Sequence, residues 1–519
     1  MGPFGKGLAR LCAVAAAPRA VEMAAQVRAA VREASTIELR MDWLSSDAER
    51  ARFIAWLRDE RLRRKRPRRT VFLVTCRRRG AGGLFPGSIE AQLYWLIQAR
   101  DVGCQWCDIE LETLRELPDQ SIREYAVPPR VMLSLHDFDR TPRLARAVKM
   151  PPHGEVDVVK VAAHARTIAD SIRLLSLARR SRNCVVSPMG EIGLPARILS
   201  LREGSALTYA PAGQATAPGQ VSLHDLKYLY RAHQLDSRTQ VYGVIANPVA
   251  HSLSPLLHNS AFAARRLNAV YLPFLVNDLR DFLKAIPDLG VRGFSVTLPH
   301  KQTILKYLDD CDPLAADIGA VNTVTVRRDG ALVGCNTDYL GVLQALQRKL
   351  ATSGSRVLIF GAGGSARATA FALARAGASV SICARRERAA GELARAVGGE
   401  VVPRRALRTE SFDAIVNTTP IGMHPGAEIS PLAASELHCR IVMDLIYRPE
   451  HTRLLQIASS IGISTVSGVE MFLAQGIAQW ELWTRRRAPE SLMRRAVLSA
   501  LRSEQKYAQP PARKSRRRR

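Results

Sequence analysis

Between residues 10 and 235, short runs of β-branched and aliphatic residues alternate with longer stretches of helical period. The short runs fall near 10–16, 35–39, 71–75, 106–110, 131–135, 157–161, 183–187 and 206–210. Strands of that length, separated by helix-length segments, predict parallel βα units. Eight units in about 225 residues predict a (β/α)8 barrel, expected to span 1–235. Lys6 and Arg10 ahead of an apolar run imitate a short signal peptide. The rhythm that follows needs that run as strand one, with Pro18 opening the next helix.

The polar stretch 231–240 predicts a linker, and 241–340 reads as a second α/β region. A third, 341–503, opens with a strand Ser355–Phe360, a glycine-rich turn and a helix through Ala376. Helices are expected over 470–487 and onward to about 503. The Pro/Arg-rich end, 507–519, is expected to be a basic disordered tail.

Composition changes this picture little. The 519 residues are 47% hydrophobic and 24% charged, as in a soluble globular chain, and no apolar run reaches the ~18 residues of a membrane span. The net charge of +28 comes from 64 Arg against 11 Lys. Its clusters, such as Arg61–Arg69 and Arg516–Arg519, have no aromatic interleaving, so nucleic acid is not expected as the main partner. The nine cysteines have no regular spacing and sit mostly in apolar runs, which suits reduced thiols in the cytoplasm. Cys104 and Cys107 form a CxxC with no second ligand pair, and no metal site is expected.

Functional groups of a parallel barrel lie at the carboxyl ends of its strands. Glu38, Arg40, Arg77, Asp108, Glu110, His136, Arg197, Thr216 and Gln220 all fall there, and Lys160 lies between Val159 and Val161. Lysine in an apolar strand either snorkels to the rim or is desolvated toward the neutral, nucleophilic amine. A neutral Lys160 can form a Schiff base with a ketone, and His136, one strand away, can move a proton beside the imine. Arg40, Arg77 and Arg197 would offer a cationic pocket for a carboxylated substrate.

Gly361-x-Gly363-Gly364-x-Ala366, after a strand and opening a helix, is a dinucleotide fingerprint. An NAD site wants an acid at the end of the next strand, Ser379–Cys383. The sequence gives Ala384-Arg385-Arg386-Glu387-Arg388, so Arg385 and Arg388 point to the 2′-phosphate of NADP. Upstream, hydroxyls and amides at loop positions, Ser252, Ser254 and Asn322, suit a polyhydroxylated ring. Lys301 with Asp338 suits proton transfer to an oxygen as hydride reaches its carbon.

The runs Glu38–Asp42, Ser134–Phe138 with Thr141-Pro142, Val159–Ala162, Met189–Gly193, Gly204-Ser205 and Ala217–Gln220 resemble type I 3-dehydroquinate dehydratase. By that resemblance Lys160 forms the imine, His136 removes the C2 proton and helps expel water, and Arg197 holds the carboxylate. Glu38, Arg40, Arg77, Thr216 and Gln220 would position the ring hydroxyls and the covering loop. One departure is Ala81, where that family usually carries a carboxylate before a Gly-Gly pair. It removes a partner for His136 unless another acid, such as Glu110, takes over.

Residues 241–490 resemble shikimate dehydrogenase, through Asn247–Pro255, Ser295–Lys301, Gly319–Thr323, Gly334–Asp338, Asn417–Met423 and Asp444–Tyr447. The resemblance makes Lys301 and Asp338 the catalytic pair. It places Ser252, Ser254, Thr297, Asn322, Tyr447 and Gln475 on the substrate, and Thr418 and Gly468 on the cofactor side. Ala246 and Arg448 stand where Gly and Asn are usual. The whole then resembles a fusion taking 3-dehydroquinate through 3-dehydroshikimate to shikimate with NADPH. The rivals are a reductase with an inactive barrel, or a non-catalytic quinate-type regulator. The oligomeric state is left open.

Overall fold

The computed structural model describes residues 7–63, 70–117, 122–142, 156–181, 183–213, 220–250, 252–423 and 425–508. They form two compact units: one comprises 1–240 with 268–290, the other 241–267 with 291–519.

In the first unit, β1 (Leu11–Ala15), β2 (Thr36–Arg40), β3 (Val71–Thr75), β4 (Trp106–Glu110), β5 (Arg130–Asp137), β6 (Val158–His164), β7 (Cys184–Met189) and β8 (Thr208–Pro211) form one sheet. Its order is β7-β6-β5-β4-β3-β2-β1-β8, and each neighbouring pair in that order is parallel. This is the expected eight-stranded barrel. It is nearly closed: between β7 and β8 a backbone bond from Ala206 to Cys184 lies at the entry side of the strands.

Side chains alternate along a strand. On β6, Val159, Val161 and Ala163 face outward and pack on Leu174 and Ala178 of the helix Ile168–Arg180. Val158 faces inward, into a floor of Cys12, Val14, Leu73, Trp106, Met132, Val185 and Tyr209. Lys160 stands two residues further along the inward face, just above that floor. Cys104 and Cys107 are buried free thiols.

In the second unit, five strands lie side by side in the order Gln240–Ala246, Val291–Val296, Thr323–Val326, Leu332–Cys335 and Asp310–Cys311. A second sheet is parallel throughout, in the order Glu400–Val401, Ser379–Cys383, Arg356–Phe360, Phe412–Asn417, Cys439–Asp444 and Ser464–Val466. In chain order that is 3-2-1-4-5-6, the Rossmann arrangement, whose crevice opens where the order reverses.

Two helix ends differ from the expected ones. The helix expected to reach 487 spans Gly468–Thr484, because Arg485 takes a left-handed φ of 54° and caps it. The last helix, expected to end near 503, spans Glu490–Ala508, so 507 and 508 are helical. The remainder of the expected tail, 509–519, lies outside the described residues, as does Thr216.

Candidate active sites

The barrel site is built on a buried ion-pair cluster. Lys160 Nζ lies 2.9 Å from Asp108 Oδ2, 3.8 Å from Glu38 Oε1 and 4.2 Å from the centroid of Tyr209. Ser134 donates to the other Asp108 oxygen, and Thr75 donates to Glu38 at 2.6 Å. Burial pushes the Asp108 carboxyl up, but Lys160 and Arg77 outweigh it and hold the group below its ordinary value. Lys160 is therefore held against carboxylates on the inward face, although its sequence neighbours are apolar. Asp108, which the sequence places at the carboxyl end of its strand without assigning it a role, is the nearest partner of Lys160. The signal was there: Asp108 and Glu110 alternate on one face of Trp106–Glu110, a strand whose every position is buried.

Arg77 is buried, 3.5 Å from Asp108 and 3.7 Å from Glu110. Arg40 is held in a two-pronged pair by Asp42, at 2.8 and 2.9 Å. Arg197, on the helix Leu194–Leu199, donates twice to the Pro188 carbonyl, and burial pushes its guanidinium down to about 10. Gln220 is half-buried just beyond the barrel strands.

His136 lies on β5 and stacks on Phe138 at 5.9 Å. Burial, with Arg77, Lys160 and Arg40, holds its imidazole well below the usual histidine range. Among the described residues no side chain hydrogen-bonds the ring. Glu110 does not take over from the missing acid: it accepts from Gln92 at 2.6 Å and Thr113 at 3.2 Å. Ala81 and His136 instead line one cavity of about 590 Å³, with Arg140 and Arg166.

That shared cavity gives a carboxylate room beside the ring. Ala81→Glu is expected to raise the pKa of His136, because a nearby anion favours the imidazolium. If the barrel carries out the dehydration that the resemblance implies, the acid limb of its pH profile should move to higher pH and kcat rise roughly threefold or more. Borohydride trapping of Lys160 should not change. An unmoved pH profile would leave position 81 without influence on the base.

In the second unit Lys301 Nζ donates to Asp338 Oδ2 at 2.7 Å, and Asn322 Nδ2 donates to Asp338 Oδ1 at 2.7 Å. Asp338 opens the helix Asp338–Gln347, where a negative charge meets the positive end of the helix dipole. Its backbone N–H donates to Asn336, whose amide donates to the Ala320 carbonyl, and Val321 N–H donates to the Lys301 carbonyl. The pair is thus held on both main chain and side chain.

Ser254 N–H donates to the Ser252 hydroxyl, and half-buried Thr297 follows the strand Val291–Val296. Tyr447 stacks on Phe472 at 4.3 Å, and Gln475 on the same helix donates to the Phe472 carbonyl. The Tyr447 segment is anchored by Asp444, which accepts from Ile446 N–H, Thr452 and Asn417. Burial pushes that carboxyl up to about 6 despite these bonds.

The glycine-rich turn forms as the fingerprint requires. Gly361 has φ +125°, and a Cβ there would collide with the Thr418 hydroxyl. A Cβ on Gly363 would meet only open space, so the backbone is free to be approached. Gly364 opens the helix Gly364–Arg375, 3.8 Å from Lys301 Cβ by the same measure, and Ala366 is buried in the core between helix and sheet. Gly468 packs against the carbonyls of Leu445 and Ile446 with no space for a side chain. Arg385 is exposed at the strand end. Arg388 is also exposed and pairs with Glu392 of its own helix, so of the two it is the less free to meet a ligand.

The chain therefore carries a parallel barrel with a buried lysine–carboxylate cluster, and a Rossmann-containing unit with a Lys–Asp pair beside its glycine turn. Comparison with known proteins agrees part by part. Residues 11–237 match the family described as type I 3-dehydroquinase. Residues 244–324 match the shikimate dehydrogenase substrate binding domain, and 468–498 the shikimate 5′-dehydrogenase C-terminal domain. The bifunctional 3-dehydroquinate dehydratase/shikimate dehydrogenase, chloroplastic, of Arabidopsis thaliana is 35% identical over 88% of this chain and 79% of its own length. The shikimate dehydrogenase (NADP(+)) of Moorella thermoacetica is 43% identical over 52% of this chain and 96% of its own. A crystal structure of Thermus thermophilus shikimate 5-dehydrogenase with NADP(H) and shikimate is 36% identical, covers 50% of this chain and 100% of that one, and has a TM-score of 0.47. The chain belongs to the bifunctional 3-dehydroquinate dehydratase/shikimate dehydrogenase family.

Proposed function

We propose that the chain performs two consecutive steps: dehydration of 3-dehydroquinate within 1–235, then NADPH-dependent reduction of 3-dehydroshikimate to shikimate within 241–340 and 341–503. The observation that carries this is the presence on one chain of two complete proton-handling pairs, Lys160 with Asp108 and Lys301 with Asp338.

In the barrel Asp108 takes a proton from Lys160, the freed amine adds to the substrate ketone, and Asp108 returns that proton to the carbinolamine hydroxyl, which leaves as water to give an iminium. His136, kept neutral, removes the adjacent C2 proton. The same imidazole returns that proton to the departing C1 hydroxyl, which leaves as water. Water then releases the product ketone from Lys160. Arg197 holds the carboxylate. Glu38, Arg40, Arg77, Gln220 and Thr216 position the ring and its covering loop.

The open Gly361–Gly364 cradle and the free Arg385 fit NADP. Bound there, NADPH supplies hydride to the ketone carbon. Lys301 gives a proton to the ketone oxygen, and Asp338 holds that lysine in place. Ser252, Ser254, Thr297, Asn322, Tyr447 and Gln475 hold the carboxylate and hydroxyls. Two assays test the reading directly: dienone absorbance formed from 3-dehydroquinate, and NADPH consumed with 3-dehydroshikimate. Failure of the first alone would mark the barrel as inactive.

Cofactor choice follows from Arg385, at the strand end where an acid would favour NAD. Arg385→Ala should lower kcat/KM for NADPH about tenfold, the worth of one charge-assisted hydrogen bond, and leave the value for NADH nearly unchanged. An equal loss with both cofactors would remove Arg385 from the 2′-phosphate.

No helix among the described residues is long and apolar enough to cross a membrane. All nine cysteines are free thiols, which supports a reducing compartment such as the cytoplasm. Cell fractionation tests that assignment.

A further inference from the structure

A chain of hydrogen bonds runs into the Lys301–Asp338 pair from behind, starting at residues that no step of the reduction uses. The Ser295 hydroxyl, on the strand Val291–Val296, donates to Gln479 Oε1 at 2.9 Å. Gln479 Nε2 donates to the Thr323 hydroxyl at 2.9 Å and to the Asn322 carbonyl at 3.4 Å. Thr323 Oγ1 donates to Asn322 Oδ1 at 2.7 Å. Asn322 Nδ2 then donates to Asp338 Oδ1, and Lys301 holds the other oxygen.

Every donor in this series points the same way. An amide has one accepting end and one donating end, so what binds each end decides which faces Asp338. The Asn322 carbonyl, which can only accept, settles the question for Gln479 by requiring its NH2, and Ser295 donates to the oxygen and holds it there. Gln479 then fills a lone pair of Thr323, which turns that hydroxyl's hydrogen toward Asn322. Asn322 Oδ1 receives Thr323 and, from Thr337, the N–H at 2.8 Å and the hydroxyl at 3.2 Å, so its NH2 faces the Asp338 carboxylate and Thr337 Oγ1, 3.0 Å away. Without Gln479 the Thr323 hydroxyl is free to turn to Thr337 Oγ1, 3.3 Å away. Gln479 is 1% exposed, so water does not replace the lost donor. His258 lies beside Gln479. Burial pushes its imidazole down to about 3, so it is neutral and brings no charge to the series.

Gln479 stands four residues after Gln475 on the helix Gly468–Thr484, hence on the same face. One helix thus carries a substrate contact and the rear support of the catalytic pair.

We infer that Gln479, fixed by Ser295, is a positioning residue of the reductase: through Thr323 and Asn322 it sets the Asp338 carboxylate against Lys301. The inference rests on the proposed role of Lys301 and Asp338 in proton transfer.

The test uses the full-length chain with 3-dehydroshikimate and NADPH. Gln479→Met keeps the length of the side chain and removes both polar ends. It should lower the reductase kcat about tenfold, as expected for one lost hydrogen bond to the pair. The solvent deuterium isotope effect on kcat should rise, because a badly held proton donor makes proton transfer slower relative to other steps. NADPH titration should still give one site per chain, and dehydration should be unaltered. Thr323→Val, isosteric at the next link, should reproduce the change. Ser295→Ala should lower kcat in the wild-type background and add nothing to Gln479→Met. The inference is overturned by an unchanged kcat, by a loss matched by missing NADPH sites with a wild-type isotope effect, or by additive Ser295 and Gln479 effects. Lys301→Ala separates the two levels of argument: if it reduces 3-dehydroshikimate normally, the reading of the pair fails, whatever Gln479 does.

Discussion

Lys160→Met should stop dehydration, with a loss on the order of 10⁴ or more, while NADPH-dependent reduction continues. The size follows from the chemistry: without the amine there is no iminium, and the C2 proton loses the electron sink that makes it removable. Methionine fills a similar volume but leaves Asp108 with Ser134 and, at 3.5 Å, Arg77 in place of the lysine. Removing one partner of a buried pair costs about 3–5 kcal/mol, so the melting temperature of the variant has to be measured beside its activity. In the wild type, borohydride added during turnover should place substrate mass on the peptide containing Lys160. Full turnover with that peptide unmodified would sink the covalent route.

Lys301→Ala should lower reduction by about 10²–10⁴, the usual contribution of a positioned acid or base, and leave dehydration intact. The KM for NADPH should stay within about twofold, because the glycine turn and Arg385 are untouched. Two activities falling together in a folded variant would contradict the assignment of separate sites, and a reductase that keeps its rate would free Lys301 from proton transfer.

Much of this was legible in the residues, for physical reasons that also mark where reading stops. The eight barrel strands stand out because a strand buried on both faces must be apolar at nearly every position, as Leu11–Ala15 and Val71–Thr75 are. The glycine turn is legible because only glycine takes the φ of Gly361 beside Thr418. The surroundings of Lys160 were not. Val159 and Val161 are its neighbours in sequence, yet they face away, and what touches it are Asp108, Glu38 and Tyr209 from three other strands. Chain order shows which residues alternate; it does not show which inward positions share a level around a barrel. Gln479 escaped for a related reason. A buried glutamine on a largely apolar helix gives no sign in the sequence of what it bonds, and its meaning comes from Ser295 and Thr323, more than 150 residues away. Arg388 and Arg385 look alike in the sequence, and only the helix beginning at Glu387 gives Arg388 a partner in Glu392.

Ala81 bears on more than the strength of one base. A single polypeptide fixes the two sites at equal numbers at any level of expression. The steady amount of 3-dehydroshikimate in the cell is then set by the ratio of the two catalytic efficiencies and not by gene dosage. On the proposed role of His136, a carboxylate in place of the small side chain at position 81 would raise supply relative to consumption. Ala81→Glu would speed supply alone, and the free pool of 3-dehydroshikimate would grow without any change in the amount of enzyme.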